Sequence, residues 1–188
     1  MNLRDKEIIA ALVRADVHNW HKAMGYNWRE EGGSCLASAL FGLRRLQDAG
    51  YSLEDALLQA GSASWPVIDM RDDDGKRATH FSFMWEPDKL GRWALLPGSK
   101  LMGEMHVWIG VKSTQEIIDF STHDLPRVAT LLTNGLVTFK VKPPEFIWTD
   151  FPPHGVYYAA ELSACQCAVK LAETFLEDYK QQTKGAIA

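Results

Sequence analysis

The chain has 188 residues, of which 46% are hydrophobic and 23% charged, and its formal net charge is −4 at pH 7. These values are ordinary for a globular protein and predict a single domain over residues 1–188 that can bury a core. A small negative charge gives no attraction to nucleic acid or to an acidic membrane surface, and no apolar run approaches the ~18 residues of a membrane span. We therefore expect neither nucleic acid nor a membrane as a partner.

The N-terminus and the cysteines indicate a reducing compartment. Charged residues at 4–7 interrupt the apolar stretch that a secretory signal peptide requires. The chain has three cysteines, an odd number. Cys165 and Cys167, two apart on one predicted helix, point away from each other and cannot easily form a disulfide. We expect a cytoplasmic protein in which Cys165 is buried for structural reasons.

The first quarter of the chain is predicted to be helical. Asn2 is a typical N-cap for a first helix that Gly25 ends, and a second helix follows over about residues 35–49 and ends at Gly50. The residues expected on the buried faces are Leu3, Ile9, Leu12, Val13, Trp20 and Met24 in the first helix and Leu36, Leu40, Leu43 and Leu46 in the second.

A short third helix is predicted after these two. Ser52 and Asp55 have the arrangement of a capping box, in which side chains bond the free backbone N–H groups at a helix start, and Gly61 would end the helix. Residues 61–78 show no clear period and are predicted to be irregular, with a surface turn at 72–75.

The middle of the chain is predicted to form strands, because it is rich in aromatic and β-branched residues between turn signals. The predicted strands are residues 79–86, 92–96, 105–111, 116–120 and 136–142. A long helix over about 159–182 closes the chain. Its expected buried side consists of Leu162, Cys165, Val169, Leu176 and Tyr179. This order predicts an α+β fold, in which N-terminal helices pack on a central antiparallel sheet and a long helix comes last.

The stretch Gly32-Gly33-Ser34-Cys35 places a thiol at the predicted start of the second helix, where Ser34 can act as the cap. The partial positive charge of a helix N-terminus favours the thiolate, which is the reactive form of cysteine, and the free N–H groups there can stabilise an oxyanion. A lone cysteine in an apolar helix is more often a small buried hydrophobic residue. Cys35 is therefore a candidate nucleophile only together with a base and an acid.

His106 and Asp119 supply such a pair, one on each strand of a predicted hairpin. In an antiparallel hairpin, the numbers of any two opposed residues have the same sum. A two-residue turn at 112–113 opposes Val111 to Thr114, and His106 and Asp119 have the same sum, so they would lie directly across from each other. A turn one residue later would make the two a diagonal pair on the same face. In either register the carboxylate can orient the imidazole and favour its charged form.

The three candidates occur in a recognisable order along the chain: a cysteine begins a helix, a histidine lies on a later strand, and an aspartate lies on the next strand. This order resembles the papain-like cysteine protease superfold, most closely its transglutaminase-like branch. The resemblance covers roughly residues 26–125 and lies in Cys35, His106 and Asp119. It implies acyl transfer from an amide of a peptide or protein, without a cofactor or a metal. Cys35 would attack the carbonyl and form a thioester, while His106 would act first as base and then as acid.

One position departs from this pattern. The papain pattern has a glutamine shortly before the cysteine as an oxyanion donor, whereas Arg29 stands at that offset here, with Asn27 and Trp28 as alternatives. The resemblance does not choose between hydrolysis, as in a peptidase, amidase or deamidase, and transfer to an amine, as in a transglutaminase. Two further hypotheses stay open. One is a non-catalytic domain of the same fold that binds a peptide or partner protein, and the other is a small interaction or prophage-type protein in which the three residues coincide by chance.

The remaining histidines and Trp108 are secondary candidates. His80, on a predicted strand, competes with His106 as the base but has no acid in a matching register. His18 and His21 lie about one helical turn apart without a third ligand, so a polar helix face is a better interpretation than a metal site. Trp108 follows His106 by two residues and is expected to line a cleft.

Overall fold

The computed structural model describes residues 1–25, 34–69, 79–85, 105–133 and 137–185. The helices are α1 (Leu3–Ala23), α2 (Cys35–Asp48), α3 (Leu125–Thr133) and α4 (Leu162–Gly185). The strands are β1 (Ala56–Asp69), β2 (His80–Phe83), β3 (His106–Val111), β4 (Ile117–Asp119), β5 (Thr138–Phe139), β6 (Ile147–Thr149) and β7 (Tyr157–Ala160). The fold is α+β, as predicted, with N-terminal helices, an antiparallel sheet and a long C-terminal helix.

Helix α1 forms where the sequence predicts it, but its buried face differs in part. The Asn2 side chain accepts a hydrogen bond from the Asp5 N–H at 2.9 Å and so caps the helix. The buried residues are Ile9, Ala10, Val13 and Val17. Leu3 and Leu12 are 68% and 41% exposed, so their predicted burial is wrong. Neighbouring residues point about 100° apart around a helix, so burying Val13 in the core turns Leu12 toward solvent.

Helix α2 packs against the sheet largely through small side chains. Leu46 is fully buried as expected. The predicted leucines that are only half-buried are Leu36, Leu40 and Leu43. The other buried positions are Ala37, Ser38, Ala39, Phe41 and Gly42. A Cβ atom on Gly42 would lie 2.6 Å from the Phe120 ring, so the close approach of α2 to the sheet requires a glycine at this position.

The predicted third helix is wrong, because its residues begin the long strand β1. Ser52 starts a turn instead, in which its Oγ accepts a hydrogen bond from the Glu54 N–H at 3.1 Å. Residues 61–69, predicted to be irregular, continue the same strand. Hydrogen bonding to β3 outweighs any local helical preference of residues 56–60. The rest of β1 pairs with β2, β5 and β7.

Strand β1 is the centre of the sheet. The main path runs β2-β1-β3-β4-β6, β5 and β7 also pair with β1, and every strand pair that the structure describes is antiparallel. Gly61 pairs with both His106 and Ala160, so β3 and β7 flank β1 on opposite edges at this point. A Cβ atom on Gly61 would lie 2.1 Å from the Ala159 carbonyl oxygen, which leaves room only for glycine.

The two faces of the sheet bury two separate cores. On one face, Val107 and Ile109 pack with residues of α1, α2 and α4. On the other face, Trp65 and Phe83 pack with residues of α3. Because successive side chains of a strand point to opposite faces, His106 lies on the face of β3 turned away from the Val107 core.

The second half of the chain departs further from the prediction. Strand β5 is only Thr138–Phe139 within the predicted strand 136–142, and Val141 is 68% exposed. The elements α3, β6 and β7 have no counterpart in the sequence prediction. Helix α4 buries a stripe of alanines and exposes much of its predicted apolar side, because small side chains allow it to lie close to β1. The buried residues are Ala164, Ala168 and Ala172, and the exposed ones are Leu162, Val169 and Leu176.

Some predictions concern residues outside those that the structure describes. These are the turn at 72–75, the strand at 92–96 and the three oxyanion-donor candidates at 27–29. Within the described ranges, no helix combines the length and the apolar character that crossing a lipid bilayer requires.

Candidate active site

The start of helix α2 meets the start of strand β3. Cys35 is the first residue of α2, and Ser34 occupies the N-cap position. The thiol is half-buried, and its Sγ lies 3.9 Å from the carbonyl oxygen of Met105, the residue before His106. Within the described structure the Ser34 side chain makes no capping hydrogen bond, contrary to its predicted role. Among the described residues, the first-turn N–H groups of α2 therefore have no side-chain cap from the N-cap position.

The hairpin of β3 and β4 adopts the second of the two predicted registers. Gly110 pairs with Ile117, and residues 112–115 join the two strands. The turn is therefore centred one residue later in the chain than in the register that would place His106 directly across from Asp119. The two residues are therefore a diagonal pair on the same face of the sheet.

His106 and Asp119 meet as a buried pair. The His106 Nε2–H donates to Asp119 Oδ2 at 2.7 Å, and the two side chains are 2% and 1% exposed. Tyr158, from β7, donates its hydroxyl to the same oxygen at 2.8 Å. The Ser121 N–H and hydroxyl donate to Asp119 Oδ1 at 2.8 Å and 2.7 Å. The carboxylate thus has hydrogen bonds on both oxygens, which a buried charge requires.

Electrostatic interactions favour the charged form of both partners. Burial lowers the pKa of His106, but the Asp119 carboxylate and, to a smaller extent, the Cys35 sulfur raise it to about 10. Burial raises the pKa of Asp119, but His106 and Ser121 hold it below its ordinary value. Burial and the Asp119 charge raise the pKa of Tyr158, so its hydroxyl keeps its proton and stays a donor. At neutral pH the site is an imidazolium held against a carboxylate, with a sulfur beside it.

Aromatic rings enclose the His106 imidazole. The Phe83 ring stacks on it, with 5.1 Å between the ring centroids and 18° between the planes. The Trp65 ring meets it almost at right angles, at 84° and 5.3 Å between centroids. Trp108 and Tyr158 lie at 6.1 Å and 6.0 Å. These contacts fix the orientation of the ring and keep water away from its bond to the carboxylate.

The His106 ring has one nitrogen that Asp119 does not use. Nδ1 is buried and has no hydrogen-bond partner of normal geometry among the described residues. A buried unpaired nitrogen is costly, and in this site it is the ring atom available to exchange a proton with Cys35. The thiol, the imidazole and the carboxylate together have the groups that nucleophilic catalysis needs: a nucleophile, a base and a residue that orients the base.

The two secondary candidates, Trp108 and His80, do not replace or extend the site. Trp108 is 1% exposed, and its Nε1–H donates to Gln59 Oε1 at 2.9 Å, so the predicted cleft wall is a core residue. The described contacts of His80 are a 3.0 Å hydrogen bond with Thr79 and a ring contact with Tyr157 rather than a contact with a carboxylate. His106 is therefore the better candidate for the base.

The other two cysteines lie on α4. Cys165 Sγ contacts both backbone polar groups of Ala60. It lies 3.3 Å from the backbone nitrogen, whose N–H points at the sulfur, and 3.5 Å from the carbonyl oxygen. These contacts tie α4 to the backbone of β1 and give Cys165 a structural role. Burial raises the pKa of Cys167 and keeps it a thiol. Over the described ranges, no three His, Cys, Asp or Glu side chains are grouped so that they could hold a metal ion.

The sequence pattern does not identify Tyr158 and Ser121, although both hold Asp119. Ser121 follows Asp119 by two residues, the spacing at which an aspartate side chain accepts hydrogen bonds from the backbone after it, so a local signal exists. Tyr158 is 39 residues away, on a strand that the pattern does not predict. Only the pairing of β7 in the sheet brings its hydroxyl to Asp119.

Comparisons with known proteins identify no family for this chain. No family model, no curated protein and no solved structure matches it. The papain-like resemblance is therefore an interpretation of three residues and their order, and function has to be inferred from the geometry of the site.

Proposed function

We propose that this protein is a cysteine-dependent hydrolase or acyltransferase that acts on an amide bond through Cys35, His106 and Asp119. The observation that carries the proposal is the buried His106–Asp119 pair, with its 2.7 Å hydrogen bond. Cys35, the first residue of α2, lies near it, since its Sγ is 3.9 Å from the carbonyl oxygen of the residue before His106. The raised pKa of His106, to which the Asp119 carboxylate and, to a smaller extent, the Cys35 sulfur contribute, supports the proposal. The order of the three residues supports a papain-like or transglutaminase-like fold.

The proposed reaction has two steps. The Cys35 thiolate attacks the amide carbonyl carbon, the C–N bond breaks, and His106 gives its proton to the leaving amine, which leaves a thioester. Water or a second amine then attacks the thioester, His106 takes a proton, and the C–S bond breaks to return the thiolate and release an acid or a new amide. Asp119 holds the ring and stabilises its charged form, and the first-turn N–H groups of α2 stabilise the oxyanion.

Iodoacetamide, which alkylates thiolates, provides the first test. Cys35 should be modified at least about tenfold faster than Cys165 or Cys167 at neutral pH, as measured by mass spectrometry of digested peptides. His106→Gln should remove this advantage, because the imidazolium that stabilises the thiolate is lost. Modification of Cys165 or Cys167 with Cys35 left intact contradicts the proposal.

Casein, which offers both peptide bonds and glutamine side chains, distinguishes the reaction types. Peptide fragments indicate a peptidase, ammonia without fragments indicates a deamidase, and incorporation of dansylcadaverine indicates a transferase. Cys35→Ala should abolish the activity found, whereas the matched variant Cys165→Ala should retain it. Slow alkylation of Cys35 together with no reaction on casein contradicts the proposal.

The enclosure of the imidazole favours a second candidate function, a non-catalytic domain that binds a peptide or a partner protein. His106 is 2% exposed, whereas a catalytic acid has to reach the leaving group of a substrate. In such a domain the His106–Asp119 pair is structural, and Cys35 should react with iodoacetamide equally slowly in the wild type and in His106→Gln. That result, together with peptide binding, supports the binding domain over the enzyme.

A further inference from the structure

Trp65, which contacts the His106 ring, also lines a groove on the surface of the domain. The groove has a volume of about 580 Å³, within the usual range of ligand sites. It is formed by the C-terminal half of β1, the start of β2 and two segments at 140–144 and 153–157. The described contacts of Cys35 do not include residues of this groove.

The walls of the groove are rigid and largely apolar. Four of the described lining residues are prolines, and these are Pro66, Pro143, Pro144 and Pro153. A proline ring fixes φ and carries no N–H group, so these walls are preformed and offer few backbone donors. Tyr157 adds an aromatic ring, which lies 5.8 Å from the His80 ring between centroids. A preformed apolar wall binds apolar side chains with little ordering cost.

The charged side chains among the described lining residues are two lysines, Lys140 and Lys142. Both are exposed, and neither forms an ion pair in the part of the chain that the structure describes. The described lining residues include no aspartate or glutamate. On a chain with a net charge of −4, this local positive charge attracts a negatively charged occupant.

We propose that this groove binds an acidic peptide segment. Glutamate or aspartate side chains of the peptide pair with Lys140 and Lys142, and apolar residues between them pack on the proline and tyrosine walls. A nucleic acid fits less well, because two lysines neutralise few phosphates. The binding needs no reaction at Cys35, so it goes beyond the proposed enzymatic function.

A fluorescein-labelled decapeptide of glutamate, valine and proline, titrated with the full chain and followed by fluorescence anisotropy, tests the proposal. We expect it to bind, and the same peptide with lysine in place of glutamate not to bind. The double variant Lys140→Glu/Lys142→Glu should weaken binding by about tenfold or more. The matched variant Lys112→Glu/Lys170→Glu changes the net charge equally at exposed positions outside the described lining, and its Kd should stay within about twofold of the wild type.

Cys35→Ser should bind the acidic peptide as the wild type does, which separates this proposal from the enzymatic one. Absence of binding, equal binding of the acidic and basic peptides, or an unchanged Kd in Lys140→Glu/Lys142→Glu overturns the proposal. Tighter binding of a short oligothymidine than of the acidic peptide also overturns it, because the groove would then be a nucleic-acid site.

Discussion

The starts of helices α2 and α4 carry similar cysteines with different neighbours. Cys35 and Cys165 are both half-buried, and each sulfur contacts backbone atoms at or beside a strand. The contacts of Cys165 that the structure describes are with the backbone of Ala60, whereas Cys35 also interacts with a buried imidazole held by a carboxylate. A cysteine near a helix start is therefore not a site by itself, and the neighbouring ion pair is what distinguishes Cys35.

The largest expected effect comes from removing the carboxylate. Asp119→Asn leaves a buried imidazolium without its counter-charge, so the free energy of unfolding should fall by about 3–5 kcal/mol in urea denaturation. Alkylation of Cys35 should slow while that of Cys165 stays the same. The control Glu145→Gln breaks an exposed pair with Arg14 and should cost at most about 1 kcal/mol. If both variants lost similar amounts of unfolding free energy, the buried pair would contribute no more to stability than a surface pair, which would contradict this prediction.

Stability should depend on pH through the same pair. Because the pKa of His106 is about 10 in the folded chain and has a reference value of 6.5, its stabilisation is complete below about pH 6.5 and is lost as the pH rises through 10. The lowered pKa of Asp119 acts in the opposite direction, and its stabilisation is lost as the pH falls through that lowered value. In urea unfolding, the wild type should lose more stability than His106→Gln on the alkaline side. Parallel pH profiles for the two proteins would contradict this.

Tyr158→Phe tests whether the hydroxyl on Asp119 supports the pair. Losing a buried hydrogen bond to a carboxylate should lower the free energy of unfolding by about 1–3 kcal/mol. Alkylation of Cys35 should slow by less than in Asp119→Asn, because His106 keeps its counter-charge. The neighbouring residue provides the control: Tyr157 is 60% exposed, and Tyr157→Phe should change neither stability nor alkylation.

The smallest expected effect comes from Cys165→Ala. Loss of the weak contacts between its sulfur and Ala60 should cost about 0.5–1 kcal/mol. The rate of Cys35 alkylation should stay unchanged, as measured by mass spectrometry under the conditions used for the wild type. A lower rate at Cys35 would show that the two sulfurs are coupled through the sheet, and Cys165 would no longer be a valid control.

The elements that were predicted correctly are those whose sequence signals, such as caps and turns, lie within a few neighbouring residues. Asn2 caps α1 through the N–H of a residue three positions later, and the positive φ of Gly25 (64°) and Gly50 (91°) suits glycine just after a helix. The hairpin that pairs His106 with Asp119 is also local, since a short turn joins its strands and limits the possible registers to two neighbouring ones. These signals need no knowledge of distant residues.

The failures come from residues whose structure depends on distant partners. Residues 56–60 form a strand because β3 pairs with them, and nothing within those residues shows this. Helix α4 buries small residues such as Ala168 instead of Leu162, because the distance to β1 decides which side chains fit. Tyr158 reaches Asp119 only through the position of β7 in the sheet.

The sequence alone determined the first two helices, the α+β class and the three candidate side chains of the site, because capping, periodicity and hairpin register act over short stretches. Only the tertiary structure decided that His106 and Asp119 are buried and charged together, and that Tyr158 and the rings of Phe83 and Trp65 surround them. Burial and charge depend on what every neighbouring element contributes, and those neighbours come from parts of the chain that are distant in sequence.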